Sequence, residues 1–415
     1  MRLARTANAR LAHQHEGEGR PEPNPIPMGT LEATRDLQNW MVDQRRSLHQ
    51  IPELAYHEHE TSAFLQARLG ELGIAFETGF GGGTGIVATL GSEAGADRGW
   101  IALRADMDGL PIEETAEVGF KSRHAGAMHA CGHDSHMAML LGAARALKAR
   151  EAELPGPVRL IFQPAEEGGA GAAKMVAEGV LEGVERIFGL HVWPALPSGT
   201  VAIRDGAFLA ASGKFELTIH GRGGHGAMPH LAVDPVVCFA AIVSGLQTIV
   251  SRERSPLSSN VVTVGAVHAG KTFNVIPSTV EAQGTLRSHS EEEQAANQTR
   301  IRELAQGIGA AHRCEVEVRF PGTMYPPTVN HGPAVEVARS VAREVVGEAG
   351  LVPCPQTMGG EDFSFYAQEV SACFAALGIG DAEKGTDVSL HNPGFRVDED
   401  VLAAGAALHV GFALA

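Results

Sequence analysis

Three apolar runs in this chain each end abruptly in polar or charged groups, and that pattern leaves few folds open. Ile101-Ala102-Leu103 leads through Arg104 to Asp106 and Asp108. Leu160-Ile161-Phe162 leads through Gln163 to Glu166 and Glu167, and Phe188-Gly189-Leu190 leads to His191. Each run has the length and composition of a strand. Helical stretches separate them, at about residues 135–149 and 170–178. Strands alternating with helices predict a sheet covered on both faces, and such sheets bind ligands beyond the carboxyl ends of their strands. Carboxylates and imidazoles there are costly to bury unless they are paired or hold a metal.

A fourth segment points to the metal. Met128-His129-Ala130-Cys131-Gly132-His133-Asp134-Ser135-His136-Met137 gathers one thiol, one carboxylate and three imidazoles just ahead of an apolar helix. Thiolate and neutral imidazole suit borderline and soft divalent ions. A polar helix cap with Cys131 as a small core residue is the plain alternative. Adjacent Glu166 and Glu167 cannot easily point at one atom. One is free to ligate while the other takes a proton from water, as hydrolysis requires. Ser389-Leu390-His391-Asn392-Pro393 adds another His on a turn, and Gly359-Gly360-Glu361-Asp362 an acidic bend.

The rest of the chain supplies the frame. A helix is expected over about 31–50 and another over about 57–72, ending at Gly73. Short strands are expected at 85–90, 100–103, 158–162, 187–190 and 200–203. Near residue 211 the pattern changes to strand, helix, strand, strand, helix, strand over 214–320, the split order of a small ferredoxin-like α+β unit. The larger unit then resumes with a helix at 333–346, a strand near 372–377 and a final helix at 399–414. The expected class is α/β: a mixed-sheet α/β/α catalytic domain (31–210 and 325–415) with an inserted domain at 211–324. Residues 1–30, rich in Pro towards their end, read as a poorly ordered extension, and Met28 is an alternative start.

Lys and Arg total 33 against 49 Asp and Glu, a net charge of −16 with no basic stripe, which argues against nucleic acid. No unbroken apolar run of eighteen residues is present, so no membrane span is expected. Five scattered cysteines make no disulfide framework and predict a reducing, cytoplasmic setting.

The segments 104–111, 128–136, 163–167, 189–194, 223–230, 358–363 and 390–395 resemble, in order and spacing, the motifs of the dinuclear metal-dependent N-acyl-amino-acid amidohydrolases. That family includes hippurate hydrolases and indole-acetyl-amino-acid hydrolases and is related to aminoacylases and glutamate carboxypeptidase. His49-Gln50-Ile51-Pro52-Glu53-Leu54 resembles another of its segments, and the likeness runs from about residue 37 to near the C-terminus. The resemblance implies two divalent ions per subunit (zinc, manganese, cobalt or nickel). It implies Cys131, His133, Glu167, His191 and His391 as their ligands, with Cys131 bridging, and Glu166 as general base. Asp106 and Asp108 would orient ligands. It also implies that the inserted domain serves as dimerisation domain and lid. His225 would reach the active site of the partner in a homodimer, and Asn274 and Arg287 would bind the substrate's carboxylate end.

The expected activity is hydrolysis of N-acyl amino acids to a carboxylic acid and a free amino acid. A dipeptidase or a carbamoyl-amino-acid hydrolase on the same scaffold is the nearest rival. A non-catalytic metal-binding protein would not need Glu166 and His225, and a redox role for Cys131 lacks a second nearby cysteine.

Overall fold

The computed structural model describes residues 30–91 and 99–415. Residues 1–29 of the expected extension lie outside the described residues.

The chain enters through α1 (Thr30–Arg35), α2 (Gln38–His49) and α3 (His59–Glu71). The single helix expected at 31–50 is in fact broken at Asp36 and Leu37. Thr34 turns its hydroxyl back onto the carbonyls of Thr30 and Leu31, and Leu37 N–H bonds Thr34 at i−3. Such back-bonding competes with the helical ladder.

Strands β1 (Ala75–Phe80), β2 (Gly85–Leu90) and β3 (Trp100–Asp106) follow, then α4 (His133–Ala149), β4 (Val158–Gln163), α5 (Gly171–Ala177) and β5 (Val184–Pro197). Short strands β6 (Val201–Ala202) and β7 (Gly206–Leu209) lead to the inserted stretch. It comprises β8 (Ala211–His220), β9 (Gly224–His225), α6 (Pro235–Thr248), β10 (Asn260–Ala269), β11 (Val275–Ile276), β12 (Thr279–Ser288), α7 (Glu291–Ala311) and β13 (Glu315–Arg319). The chain ends with β14 (Thr328–Asn330), α8 (Pro333–Val346), β15 (Leu351–Val352), α9 (Ser364–Ala367), β16 (Ser371–Gly380) and α10 (Leu402–Leu414).

The main sheet has eight strands in the order β1-β2-β4-β3-β5-β16-β6-β15. β4, β3, β5 and β16 run parallel, while β2 and β6 pair antiparallel to their inner neighbours. Side chains alternate between two cores. Leu103, Phe162, Phe188 and Leu377 pack with α2, α4, α8 and α10, while Ala102, Ile161, Ile187 and Phe374 pack with α5 and α9. This is the expected α/β/α arrangement, and burial on both faces explains why the strands read as continuous apolar runs. β1 was not anticipated, since Ala75–Phe80 is mostly exposed and lacks an apolar face.

The second sheet, β10-β12-β8-β13, is antiparallel throughout. It packs on α6 and α7 around a core of its own that includes Phe215, Leu217, Ile242, Leu286 and Ile301. α6 and the π-turn after it, Pro235–Glu253, are long and apolar enough to span a membrane by length and composition alone, although the run is broken by polar residues. Cys238, Ile242, Leu246 and Ile249 nevertheless lie against the sheet as core residues. On its outer side Val236, Val237 and Val250 are exposed.

Candidate metal centre and active site

The parallel register brings the chemistry together. Asp106 of β3 pairs with Gln163 of β4, and Arg104 pairs with Gly189 of β5, so the segments after β3 and β4 converge with His191. His191 does not stand at a strand end as expected. β5 runs on to Pro197 because β16 continues beside it, with Ala376 opposite His191.

α4 begins at His133, immediately after Gly132, whose φ is +88°. A Cβ on Gly132 would come within 2.4 Å of Val192, so only glycine lets the Cys131–His133 turn sit this close to β5. There the Cys131 thiol lies 3.3 Å from His191 Nε2. His191 Nδ1 bonds the Val192 carbonyl at 2.7 Å, which places its proton on Nδ1 and leaves the Nε2 lone pair facing Cys131. His391 Nε2 approaches Glu167 at 3.2 Å.

Donor atoms of Cys131, His133 and His191 all lie within 4.8 Å of one another, and so do those of Cys131, Glu167 and His391. The thiol is common to both triads. Neither ring nitrogen of buried His133 has a hydrogen-bond partner among the described residues, although Asp108 and Asp106 are 3.4 and 3.6 Å away. Burial works against its charged form, yet those two carboxylates outweigh it and lift His133 to about 10. Burial and then the charges of Glu167 and Glu166 push the Cys131 thiol well up. Burial, then Glu361 and Glu167, push Glu166 well above the usual carboxylate range. A buried pocket with too much negative potential and an unpartnered imidazole is what cations would complete. Cys131, His133, Glu167, His191 and His391 fit a pair of divalent ions.

Asp108 accepts from the backbone N–H of Glu166 and of Glu167, at 3.0 and 2.9 Å, and so fixes that turn. Asp106 accepts from His136 Nδ1 at 2.6 Å, while His136 Nε2 accepts from Val192 N–H. His136 therefore ties α4 to β5 beside the ligands. His129, a third imidazole of the same segment, is buried with no hydrogen bond from either nitrogen among the described residues. Arg104 was not singled out from the sequence. Fully buried, it bonds Gln163, Asp106, Glu361 and Asp362 at 2.7–3.0 Å. Glu58 was also missed, and it anchors the same turn by accepting from Ala165 N–H at 2.9 Å. Ala165 lies 107 positions away, so no local pattern ties Glu58 to that turn.

The ligand triads open into a cleft of about 870 Å³. Trp193, Leu209 and Leu390 give it an apolar wall, and Arg287 faces it from the second sheet. Arg287 bonds only Thr285 and the Gly213 and Leu286 carbonyls, with no carboxylate partner among the described residues. Its charge is available to a substrate anion. His225 and Asn274 are not brought into this cleft. They are neighbours across the β9–β11 pair, where Gly226 N–H bonds the Asn274 carbonyl, and both are exposed.

Residues 102–415 match the peptidase family M20/M25/M40. The chain belongs to that family. It is 44% identical over 379 residues to an IAA-amino acid hydrolase, ILR1-like 2, of Arabidopsis thaliana, covering 91% of this chain and 85% of that one. With the N-acetyl-L-cysteine deacetylase of Bacillus subtilis (strain 168) it shares 39% over 367 residues, 88% of this chain and 85% of the other. The crystal structure of the Bacillus subtilis YXEP protein, described as a dinuclear metal-binding peptidase of the M20 family, superposes with a TM-score of 0.78. The two are 34% identical, with 92% of this chain and 98% of that one covered. Both the fold and the metal-centre chemistry of this M20 member accord with that company.

Behind the ligands a charged network braces α4. Asp134 accepts from Arg45 Nε and His49 Nδ1, both at 2.8 Å, and His49 Nε2 meets Glu114 at 3.1 Å. Asp134→Asn is expected to cost up to about 3 kcal/mol, because it removes the buried negative charge that Arg45 and His49 share and leaves them only Glu399 and Glu114. Burial opposes ionisation of Asp134, but Arg45 and His49 hold its carboxyl far below the usual range. Its contribution is therefore complete above about pH 4 and lost as the pH falls. Burial likewise opposes His49⁺, but Asp134 and Glu114 raise it. That share is complete below about pH 6.5 and lost as the pH climbs through the folded value. Urea midpoints against pH should fall on both sides for the parent and be lower and flatter for the variant. Equal midpoints near pH 6 would show that the network does not brace the helix.

Proposed function

We propose that this protein is a metal-dependent amidohydrolase that cleaves N-acyl amino acids to a carboxylic acid and a free amino acid. The observation that carries the reading is the pair of donor triads sharing Cys131, with Glu166 beside them and unpaired Arg287 across the cleft. Cys131, His133, Glu167, His191 and His391 would hold two divalent ions. When bound, the ions supply Lewis acidity to the amide carbonyl and acidify water. Thiolate and imidazole donors favour zinc, cobalt or nickel over magnesium.

Glu166 takes the proton of the attacking water and delivers it to the leaving amino nitrogen. Asp108 fixes the backbone from which both glutamates project, and Asp106 orients His136 and lies near His133. Arg287 receives the carboxylate of the amino-acid part, and Trp193 with Leu209 receives the acyl part. Residues 211–324 form the dimerisation and lid domain on 31–210 and 325–415. The exposed side of α6 is its contact surface in a homodimer, and His225 and Asn274 act in the partner's cleft. Five free cysteines fit a cytoplasmic setting.

Metal analysis of the purified protein, alongside hydrolysis of acetyl-, benzoyl- and indole-acetyl-amino acids, dipeptides and carbamoyl amino acids, tests this. About two equivalents of metal and preference for the acyl substrates are expected, and Cys131→Ala and His191→Ala should lose metal and activity together. Two full equivalents in those variants would remove the ligand assignment. Preference for dipeptides or carbamoyl amino acids would move the substrate class to the rival reading.

A further inference from the structure

The stretch 211–324 is joined to the main sheet by two crossings, and these run side by side. Ser212 N–H bonds the Tyr325 carbonyl and Tyr325 N–H bonds the Ser212 carbonyl, both at 2.9 Å. Just beyond, Leu209 of β7 pairs with Thr328 of β14. The joint is thus a short antiparallel double strand.

Both of its strands touch the machinery around Glu166. From the outgoing strand, the Tyr325 hydroxyl donates to the Glu166 carbonyl at 2.6 Å and accepts from Ala170 N–H at 3.0 Å. Those two groups bracket the turn that carries both glutamates. Ala165 and Ala170 each have φ +56°, a left-handed conformation that non-glycine residues hold only when their surroundings enforce it. From the incoming strand, Ala210 N–H bonds the Gly359 carbonyl. Gly360 lies so close to Ser212 that an added Cβ would come within 2.6 Å of its side chain. Two residues further on, Asp362 N–H bonds Glu166 Oε1 at 3.3 Å. One strand therefore reaches the main chain of Glu166 and the other its carboxylate.

We infer that Tyr325 is a positioning residue for Glu166, and that through it the setting of residues 211–324 is tied to the aim of the base. The inference rests on Glu166 being the base. Its hydroxyl uses one donor and one acceptor site at once, so removing it leaves a carbonyl and an N–H without their partner. The strained turn then relaxes towards the cleft and the carboxylate with it. Substrate that draws Arg287 inwards moves the second sheet, and the double strand passes that movement to the turn.

Tyr325→Phe keeps the ring, whose edge meets Phe365, and removes only the hydroxyl. Turnover should fall about 10- to 100-fold, since small displacements of reacting groups cost that much, with KM changed less than about twofold and metal content unchanged. In a Glu166→Gln background the same substitution should change turnover by less than about twofold, because two residues acting through one group are not additive. Equal losses in both backgrounds would mean a merely structural tyrosine, and no loss in the parent would end the idea. Hydrogen exchange on the Glu166→Gln protein covers the case in which the phenylalanine variant folds poorly. The amides of Ala170, Ser212 and Tyr325 should share one protection factor and slow together when an N-acyl amino acid cleaved by the parent is added. Independent exchange would overturn the coupling. Full turnover by Glu166→Gln itself is a separate failure, that of the base.

Discussion

Glu166→Gln is expected to keep its full metal content while turnover falls by about 10²–10⁴-fold, the range of a lost general base. The amide is nearly the size and shape of the carboxylate, and Oε1 can still accept from Asp362 N–H. Tyr325 and Asp108 grip only the backbone of Glu166 and are untouched. What disappears is the proton acceptor. Glu167→Gln should do the reverse. Glu167 sits with Cys131 and His391 in one donor triad, so its amide should cost metal first and activity in consequence. Elemental analysis with single-turnover rates separates the two. Metal lost from Glu166→Gln and kept by Glu167→Gln would exchange their roles.

How far the residues themselves announced this arrangement depends on the distance over which each signal acts. Cys131, Gly132 and His133 form one local turn, and Asp106, Asp108, Glu166 and Glu167 follow apolar strands, so periodicity and residue chemistry expose them. The second sheet was legible for the same reason, since strand and helix periods alternate there within short spans. Arg104 was not. Besides Asp106, two positions on, its carboxylate partners are Glu361 and Asp362, 257 and 258 positions away, and nothing local marks an arginine in an apolar strand as their counter-charge. Glu58 and Tyr325 were hidden in the same way, 107 and 159 positions from Ala165 and Glu166, the residues they hold. His191 was identified, but its strand was drawn too short. The apolar run pauses at His191, while the backbone ladder to β16 continues to Pro197. The break after α1 turns on a threonine back-bond that a helical hydrophobic period overrides in sequence.

We propose that His225 donates to the oxyanion formed on the amide carbonyl, so His225→Ala should be nearly inactive, with turnover down by about 10²–10³-fold. Yet among the described residues nothing within one chain brings that side chain to the ligand triads. His225 lies on β9, exposed, with Nδ1 accepting from Ala227 N–H, and only its neighbour Asn274 shares its position. We propose that an imidazole so placed acts in another copy. The exposed Val236 and Val237 on α6, and Phe273 beside Asn274, offer apolar surface for such a copy. Two inactive proteins, His225→Ala and Glu166→Gln, then carry complementary defects. In a mixed dimer, the cleft with an intact Glu166 receives the intact His225 of the other chain, and its counterpart is doubly defective. Half the dimers in an equal mixture are mixed, so about a quarter of parental activity should return under two-fold symmetry. Mass measurement of the exchanged species is the necessary control. Exchange without recovered activity would mean that His225 serves its own chain or takes no part in the reaction.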